Sequence, residues 1–308
     1  MRLLVIAPDG FAPLEVLGRE AGDVELFVGS DAETLRRDAA RADAVLIAPR
    51  AGPVLTELWR ELGNVRWVHT LAAGVEFLPF DLLRRSEIVV TNGRGLYADA
   101  LGEFAIAAML WFAKDLRRLV RSQEGRRWEP FTVERLAGQS VGIIGYGGIG
   151  RAVGARAAAL GMHVTGVGRR QERIEPTIDD VIPRSDYVVL STPLTPDTYR
   201  LFSRERIARM KPSAVLINVG RGKTVDEAAL VGALESRSIR GAALDVFEHE
   251  PLPPEHPLWR LDNVLLSPHT ADHTSDSHAR AMQFFLENLR RFRAGEPLLN
   301  VVDKVAQY

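Results

Sequence analysis

Short, unbroken runs of Val, Ile and Leu recur through nearly the whole chain, each followed by an amphipathic stretch. No other feature narrows the possible folds as much. RLLVIA, VELFV, AVLIA, VRWVH and EIVV carry the pattern to about residue 91, and SVGIIG, HVTGVG, YVVLS, AVLINV, AALDV and NVLLS carry it from residue 140 onward. Continuous apolar runs, unlike strict alternation, belong to strands covered on both faces by helices, and such strands are usually parallel. Strand–helix–strand repetition over 308 residues therefore predicts an α/β chain with two doubly wound parallel-sheet domains.

The helical pattern YADALGEFAIAAMLWFAKDLRRL, residues 97–119, ends in cations, as a helix C-terminus prefers. It puts a domain seam at about residue 97. A last helix over roughly 276–294 stops near Gly295, and the tail EPLLNVVDKV is expected to close back onto the first domain. The predicted partition is 1–97 with 282–308 against 98–281.

Composition removes several function classes. With no cysteine, thiol catalysis, disulfides and thiolate metal sites are excluded. A net charge of −1 gives no electrostatic reason to expect nucleic acid or an anionic membrane. The N-terminal run is broken by Pro8 and Asp9 before it reaches signal-peptide length. AIAAMLWFA, between Glu103 and Lys114, is too short to span a bilayer. A soluble, cytoplasmic protein without a nucleic-acid or membrane partner is expected.

SVGIIGYGGIGRAVGARAAALGMHVTGVG contains Gly145-x-Gly147-x-x-Gly150 between an apolar strand and a helix, with a second strand following. In that setting Gly145 permits the tight turn, Gly147 lets the backbone approach a pyrophosphate, and Gly150 allows close helix–strand packing. The helix start at Gly148 and Ile149 offers its N–H groups and positive end to the phosphates. Near the ~20-residue spacing where an acid usually takes the adenosine ribose of NAD stands Gly168, followed by Arg169 and Arg170. A carboxylate there would repel a 2′-phosphate. Glycine leaves room for one, and two guanidiniums can clasp it, so NADP is the expected cofactor. Read blandly, GRR is a solvated strand end, and NAD remains possible.

Three segments place ionisable residues just past apolar strands, where open α/β sheets bind ligands: INVGRGKTVDEAAL, ALDVFEHEPL and NVLLSPHTADHT. Reducing a 2-oxo acid needs a cation for its carboxylate and carbonyl, a proton donor for the new hydroxyl and a placed nicotinamide. Arg221 can supply the forked cation, and His269 the proton. Glu250 can orient the imidazole and favour its charged form, and Asp245 can bond the nicotinamide carboxamide. The competing readings are ordinary ones: a surface turn arginine, a solvated loop acid and a satisfied loop histidine.

These segments, together with AAGVEF, TNGRGLYADALGEFA, STPLTPDTYRLFS, MKPSAVLINVGRG and GEPLLNVVDKVAQY, resemble the D-isomer-specific 2-hydroxyacid dehydrogenase family along nearly the whole chain. The resemblance implies a flavodoxin-like substrate domain, an inserted Rossmann domain and a cleft between them. Arg221, Glu250 and His269 become the catalytic set. The backbone at Ala73, Gly74 and Val75 cradles the substrate carboxylate beside Arg221 and His269. Thr192, Pro193 and Thr198 run along the cofactor, with Val219, Gly220 and Asp245. Residues 119–139 contribute to a homodimer interface. The GRR variant resembles NADP-using glyoxylate/hydroxypyruvate reductases, so a small 2-oxo acid reduced to a D-2-hydroxy acid is the expected reaction.

Some features depart from the family pattern. Glu76 stands where Asp is frequent, and Asp272 and His273 stand where small residues usually follow the histidine. Arg50 falls in a loop that can face either substrate or solvent. The chain ends shortly after the shared C-terminal motif, so the rival reading, D-3-phosphoglycerate dehydrogenase, would be one without a regulatory domain. A rival of another class is a dinucleotide-sensing corepressor. A methyltransferase is disfavoured by the missing acid at the second strand end. His269, His273 and His278 with Asp272 and Asp276 can be drawn as a metal cluster, but Pro268 favours a loop over the helix such spacing needs, so no metal is expected.

Overall fold

Along the strand Arg2–Ile6, Leu4 and Ile6 enter one apolar cluster while Leu3 and Val5 enter another. Both faces of the strand are therefore covered, as its unbroken apolar run requires. The computed structural model describes residues 1–11, 13–49, 51–168 and 176–308. In chain order the strands are β1 (Arg2–Ile6), β2 (Glu25–Gly29), β3 (Ala44–Ile47), β4 (Trp67–Thr70), β5 (Val89–Asn92), β6 (Ser140–Ile144), β7 (His163–Val167), β8 (Tyr187–Leu190), β9 (Val215–Asn218), β10 (Gly241–Leu244) and β11 (Val264–Leu266). The helices are α1 (Pro13–Glu20), α2 (Ala32–Ala39), α3 (Gly52–Glu57), α4 (Phe80–Leu83), α5 (Ala98–Ala113), α6 (Leu116–Glu124), α7 (Gly148–Ala159), α8 (Ile178–Val181), α9 (Arg204–Ala208), α10 (Glu227–Glu235) and α11 (Ser277–Ala294). No described helix is long and apolar enough to cross a membrane.

The described residues divide into two units, Met1–Tyr97 with Thr274–Tyr308, and Ala98–His273. The chain returns to the first unit at Thr274, ahead of residue 282, because all of α11 belongs there. In that unit a parallel sheet runs β2-β1-β3-β4-β5. Trp67 on β4 stacks on Phe285 of α11, ring centroids 5.4 Å apart. In the second unit a parallel sheet runs β11-β10-β9-β8-β6-β7. The strand order switches direction at β6, so the carboxyl ends of β6 and β8 form the crevice in which such sheets take ligands.

One helix expected over 97–119 is two. Asp115 adopts left-handed backbone, φ 46°, and its carboxylate accepts the Arg118 N–H at the start of α6. An apolar helix thereby gives way to a highly cationic one. The last helix ends at Gly295, whose φ of 70° suits glycine.

Candidate active site

The glycine turn closes tightly on its own sheet. Gly145 has φ 97°, and a Cβ on it would lie 2.8 Å from the Ser191 and Thr192 backbone, so only glycine fits there. Its N–H and that of Tyr146 donate to Val167 O at 2.8 and 3.0 Å, which fastens the turn to β7. A Cβ on Gly150 would overlap Gly145 O. The Cβ side of Gly147, by contrast, faces open space, and Gly147 caps α7 without any side-chain hydrogen bond. The first-turn N–H groups of Gly148, Ile149 and Gly150 therefore stand at an uncapped helix end, which favours an anion.

Thr192, in the segment leaving β8, packs against Gly145 and Gly220, where a Cβ on Gly220 would lie 2.7 Å from Thr192 O. Its buried Oγ1 has no hydrogen-bond partner among the described residues. A bare glycine turn, an uncapped helix end and an orphaned hydroxyl at the switch point together fit a dinucleotide. Pro193 O accepts from Thr198 Oγ1 at 2.7 Å, and the same hydroxyl accepts from Thr195 N at 2.8 Å. Thr198 thus spends its side chain on the shape of this loop. Val219 is buried, and its N–H bonds Leu190 O at 3.0 Å.

Gly166 and Gly168 differ in what they permit. A Cβ at Gly166 would overlap the Tyr146 ring, whereas a Cβ at Gly168 would make ordinary contact with Tyr146 at 3.7 Å. The protein's own packing does not require glycine at 168. Arg169, Arg170 and Arg50 lie outside the described residues.

The three loops that follow β9, β10 and β11 interlock. Asn218 shapes the first: its Oδ1 accepts from Gly220 N and its Nδ2 donates to Arg221 O, both at 3.1 Å. Thr224 Oγ1 donates to the same Arg221 carbonyl at 2.6 Å. A Cβ at Gly222 would overlap the backbone of Phe247, so glycine there lets the Arg221 loop lie directly on the next one. Arg221 Nη1 donates to Gly220 O at 2.7 Å.

Asp245, 1% exposed, holds the third loop. Its Oδ1 accepts from Ser267 Oγ at 2.6 Å and from the N–H groups of Thr270 and Ala271, each at 3.0 Å. Burial raises its pKa above the ordinary carboxylate value, opposed by these bonds and by His269. The loop presents His269 in left-handed backbone, φ 56°. Its Nδ1 meets Glu250 Oε2 at 2.8 Å, and Glu250 Oε1 accepts from Phe247 N at 3.1 Å. The bond to Glu250 raises the His269 pKa above 6.5; burial and the Arg221 charge oppose it, and Asp245 adds to it. With Nδ1–H committed to the carboxylate, Nε2 is the nitrogen left for proton exchange.

Arg221, Glu250, His269 and Asp245 thus sit together in the second unit. Asn218, Ser267 and Thr270, which the sequence reading passed over, build the scaffold around them. An Asn closing an otherwise apolar strand was the available signal for the first.

Ala73, Gly74 and Val75 lie in the first unit, in the loop after β4. Val75 is buried in the core of that unit. Asn92 Nδ2 donates to Ala73 O at 2.6 Å, Gly93 N to Ala72 O at 2.9 Å, and Tyr97 Oη to Leu71 O at 2.6 Å. Asp272 and His273 approach each other at 3.7 Å. Among the described residues no group of three or more His, Cys, Asp or Glu is placed to hold a metal.

Comparison with known proteins points the same way. Residues 106–271 match the family model "D-isomer specific 2-hydroxyacid dehydrogenase, NAD binding domain". A glyoxylate reductase of Korarchaeum cryptofilum is 34% identical over 273 residues, 84% of this chain and 82% of that protein. A D-3-phosphoglycerate dehydrogenase of Methanocaldococcus jannaschii is 30% identical over 98% of this chain, which spans 59% of that longer protein. A solved 2-hydroxyacid dehydrogenase family protein from Aeromonas salmonicida superposes with a TM-score of 0.85 at 27% identity, covering 98% of this chain and 99% of that one. Another, from Xanthobacter autotrophicus in complex with NADPH and MES, gives 0.81 at 29% identity over 100% and 99%.

Proposed function

The chain belongs to the D-isomer-specific 2-hydroxyacid dehydrogenase family, and we propose that it is an NADPH-preferring reductase of small 2-oxo acids that yields D-2-hydroxy acids. The Glu250–His269 contact at 2.8 Å carries this reading, because it commits Nδ1 and favours the charged imidazole that delivers the proton from Nε2. When bound, the reduced nicotinamide supplies the hydride to the carbonyl carbon. His269 gives the carbonyl oxygen its proton, and Arg221 pairs with the substrate carboxylate and polarises the carbonyl. The backbone at Ala73, Gly74 and Val75 is a proposed partner for the substrate carboxylate. Gly145, Gly147 and the first turn of α7 hold the pyrophosphate, Thr192, Pro193, Val219 and Gly220 line the rest of the cofactor, and Asp245 takes its carboxamide.

Glyoxylate and hydroxypyruvate are the proposed substrates, in line with the reductase relatives. The NADP preference rests on Gly168, where no acid opposes a 2′-phosphate, with Arg169 and Arg170 as its partners. Residues 119–139 are proposed to join two copies, and exposed Leu119, Val120, Trp128 and Val133 supply apolar surface for that contact.

The D-3-phosphoglycerate dehydrogenase relatives support a second reading, oxidation of a phosphorylated hydroxy acid. Initial rates with NADPH and NADH across glyoxylate, hydroxypyruvate and 3-phosphohydroxypyruvate separate the two. NADPH with an unphosphorylated acid should be the most efficient pair. Equal or better kcat/KM with NADH contradicts the cofactor assignment, and preference for the phosphorylated acid selects the second reading.

A further inference from the structure

Glu227 is a buried carboxylate that the reaction as described does not use. It occupies the first turn of α10, where an acid commonly helps a helix by capping it or by facing its dipole. Capping is already done here by its neighbour, since Asp226 Oδ1 accepts the Ala229 N–H at 3.0 Å. Glu227 instead turns away from its own helix and is 8% exposed. Its Oε2 accepts the backbone N–H of Glu248 at 3.0 Å, and its Oε1 faces His256 Nε2 at 3.4 Å. His256 Nδ1 accepts from Leu258 N at 3.4 Å, so a neutral ring carries its proton on Nε2, the nitrogen nearer Glu227.

Burying a carboxylate is costly unless its oxygens have polar partners, so this hydrogen bond and this close approach define what the group is for. The hydrogen bond leads to the segment that carries Glu250. Phe247 N holds one Glu250 oxygen, Phe247 itself lies on Gly222, and the next residue, Glu248, is tied to Glu227. On its other side Glu248 pairs with Arg200 at 3.4 Å.

We propose that Glu227, braced by His256, is a positioning residue for the proton donor: it fixes the 247–250 backbone so that Glu250 stays in register with His269. Glu227 itself touches no reacting atom. The groups facing His269 are Glu250, Asp245 and Arg221, with Asp272 and His273 on its own loop. The Glu250 contact is hydrogen-bonded directly to the backbone segment that Glu227 holds, and the Arg221 loop packs on the same segment through Gly222.

The proposal rests on His269 as the proton donor, so its test reads the imidazole both directly and through turnover. The full-length protein is labelled at its histidines and titrated by NMR, with the His269 resonance assigned by its loss in His269→Asn. Glu227→Ala removes the acceptor for Glu248 N–H and should lower the His269 pKa by about half a unit or more. The same variant should lose about threefold or more in kcat at pH above the His269 pKa, with KM for the 2-oxo acid little changed. Glu227→Gln keeps an acceptor for Glu248 N–H and should keep the parent titration. If Glu227→Ala does not fold, Glu227→Asp, one methylene short of Glu248, and His256→Ala carry the same expectation. A His269 titration that stays at the parent value in folded Glu227→Ala, or in Glu227→Asp and His256→Ala where these replace it, overturns the proposal, even if thermal stability falls. A parent protein that reduces no 2-oxo acid defeats the reaction assignment instead and leaves the titration result readable.

Discussion

Glu250 holds His269 by one carboxylate oxygen, 2.8 Å from Nδ1, while its other oxygen receives the Phe247 N–H at 3.1 Å. The carboxylate is therefore clamped at both ends, and the imidazole inherits its direction and its raised pKa. For reduction the protonated ring is the active form. kcat/KM should stay level below the raised His269 pKa and fall as pH rises through it. Glu250→Gln leaves an acceptor for Nδ1–H but removes the charge, so the fall should begin at lower pH. Above the parent pKa the loss should approach about tenfold for each unit by which the variant's pKa falls. A pH–rate profile of the variant that overlays the parent contradicts this role for Glu250.

Gly145 and Gly147 should fail in different ways. Alanine at 145 meets both a positive φ and the backbone after β8, so Gly145→Ala should cost about 1–3 kcal/mol of stability. Alanine at 147 meets nothing from the protein, so Gly147→Ala should melt close to the parent and bind the dinucleotide more weakly. Thermal melts paired with cofactor titration check both, and equal destabilisation of the two variants contradicts the assignment of Gly147 to the ligand.

Gly168→Asp tests the cofactor reading without disturbing the fold, because a side chain there makes only ordinary contact with Tyr146. The new carboxylate should oppose a 2′-phosphate. Losing one charge-assisted hydrogen bond, about 1.5–3 kcal/mol, lowers kcat/KM with NADPH about tenfold or more relative to NADH. An unchanged NADPH/NADH ratio means the 2′-phosphate lies elsewhere.

His69 gives the first unit a pH dependence of its own. It is fully buried between Trp67, Phe284 and Phe285, with Nδ1 bonded to Thr91 Oγ1 at 2.7 Å. Burial pushes its pKa down from 6.5 to about 3. The unfolded chain then binds a proton that the folded chain refuses between these values. Stability from this group is intact above pH about 6.5 and falls by up to about 1.4 kcal/mol per pH unit toward pH 3. Urea unfolding of His69→Leu should lose that part of the acid slope. A parent and variant with parallel curves contradict it.

How much of this was legible in the sequence depends on range. Unbroken apolar runs announced parallel strands because covered strands need no polar face, and the GYGGIG turn announced its strand and helix because only glycine satisfies Gly145. Arg221, Glu250, His269 and Asp245 could be named because each follows a strand end, where open sheets take ligands. The clasp between them could not. Asp245 spends Oδ1 on the backbone of Thr270 and Ala271, Glu227 reaches the backbone of Glu248, and Gly222 makes room for Phe247. These are contacts between loops distant in the chain, and no local spacing encodes them. The break at Asp115 was hidden for a related reason: apolar and cationic helical patterns run on without a Gly or Pro to mark the turn.

The central claim is that His269 delivers the proton to a small 2-oxo acid. The most direct measurement is kcat/KM for NADPH-dependent reduction of glyoxylate and hydroxypyruvate by the parent and by His269→Ala, with cofactor binding confirmed in both. Removing a general acid should cost about 10²–10⁴-fold while the dinucleotide still binds. A variant that keeps near-parental activity would contradict the account.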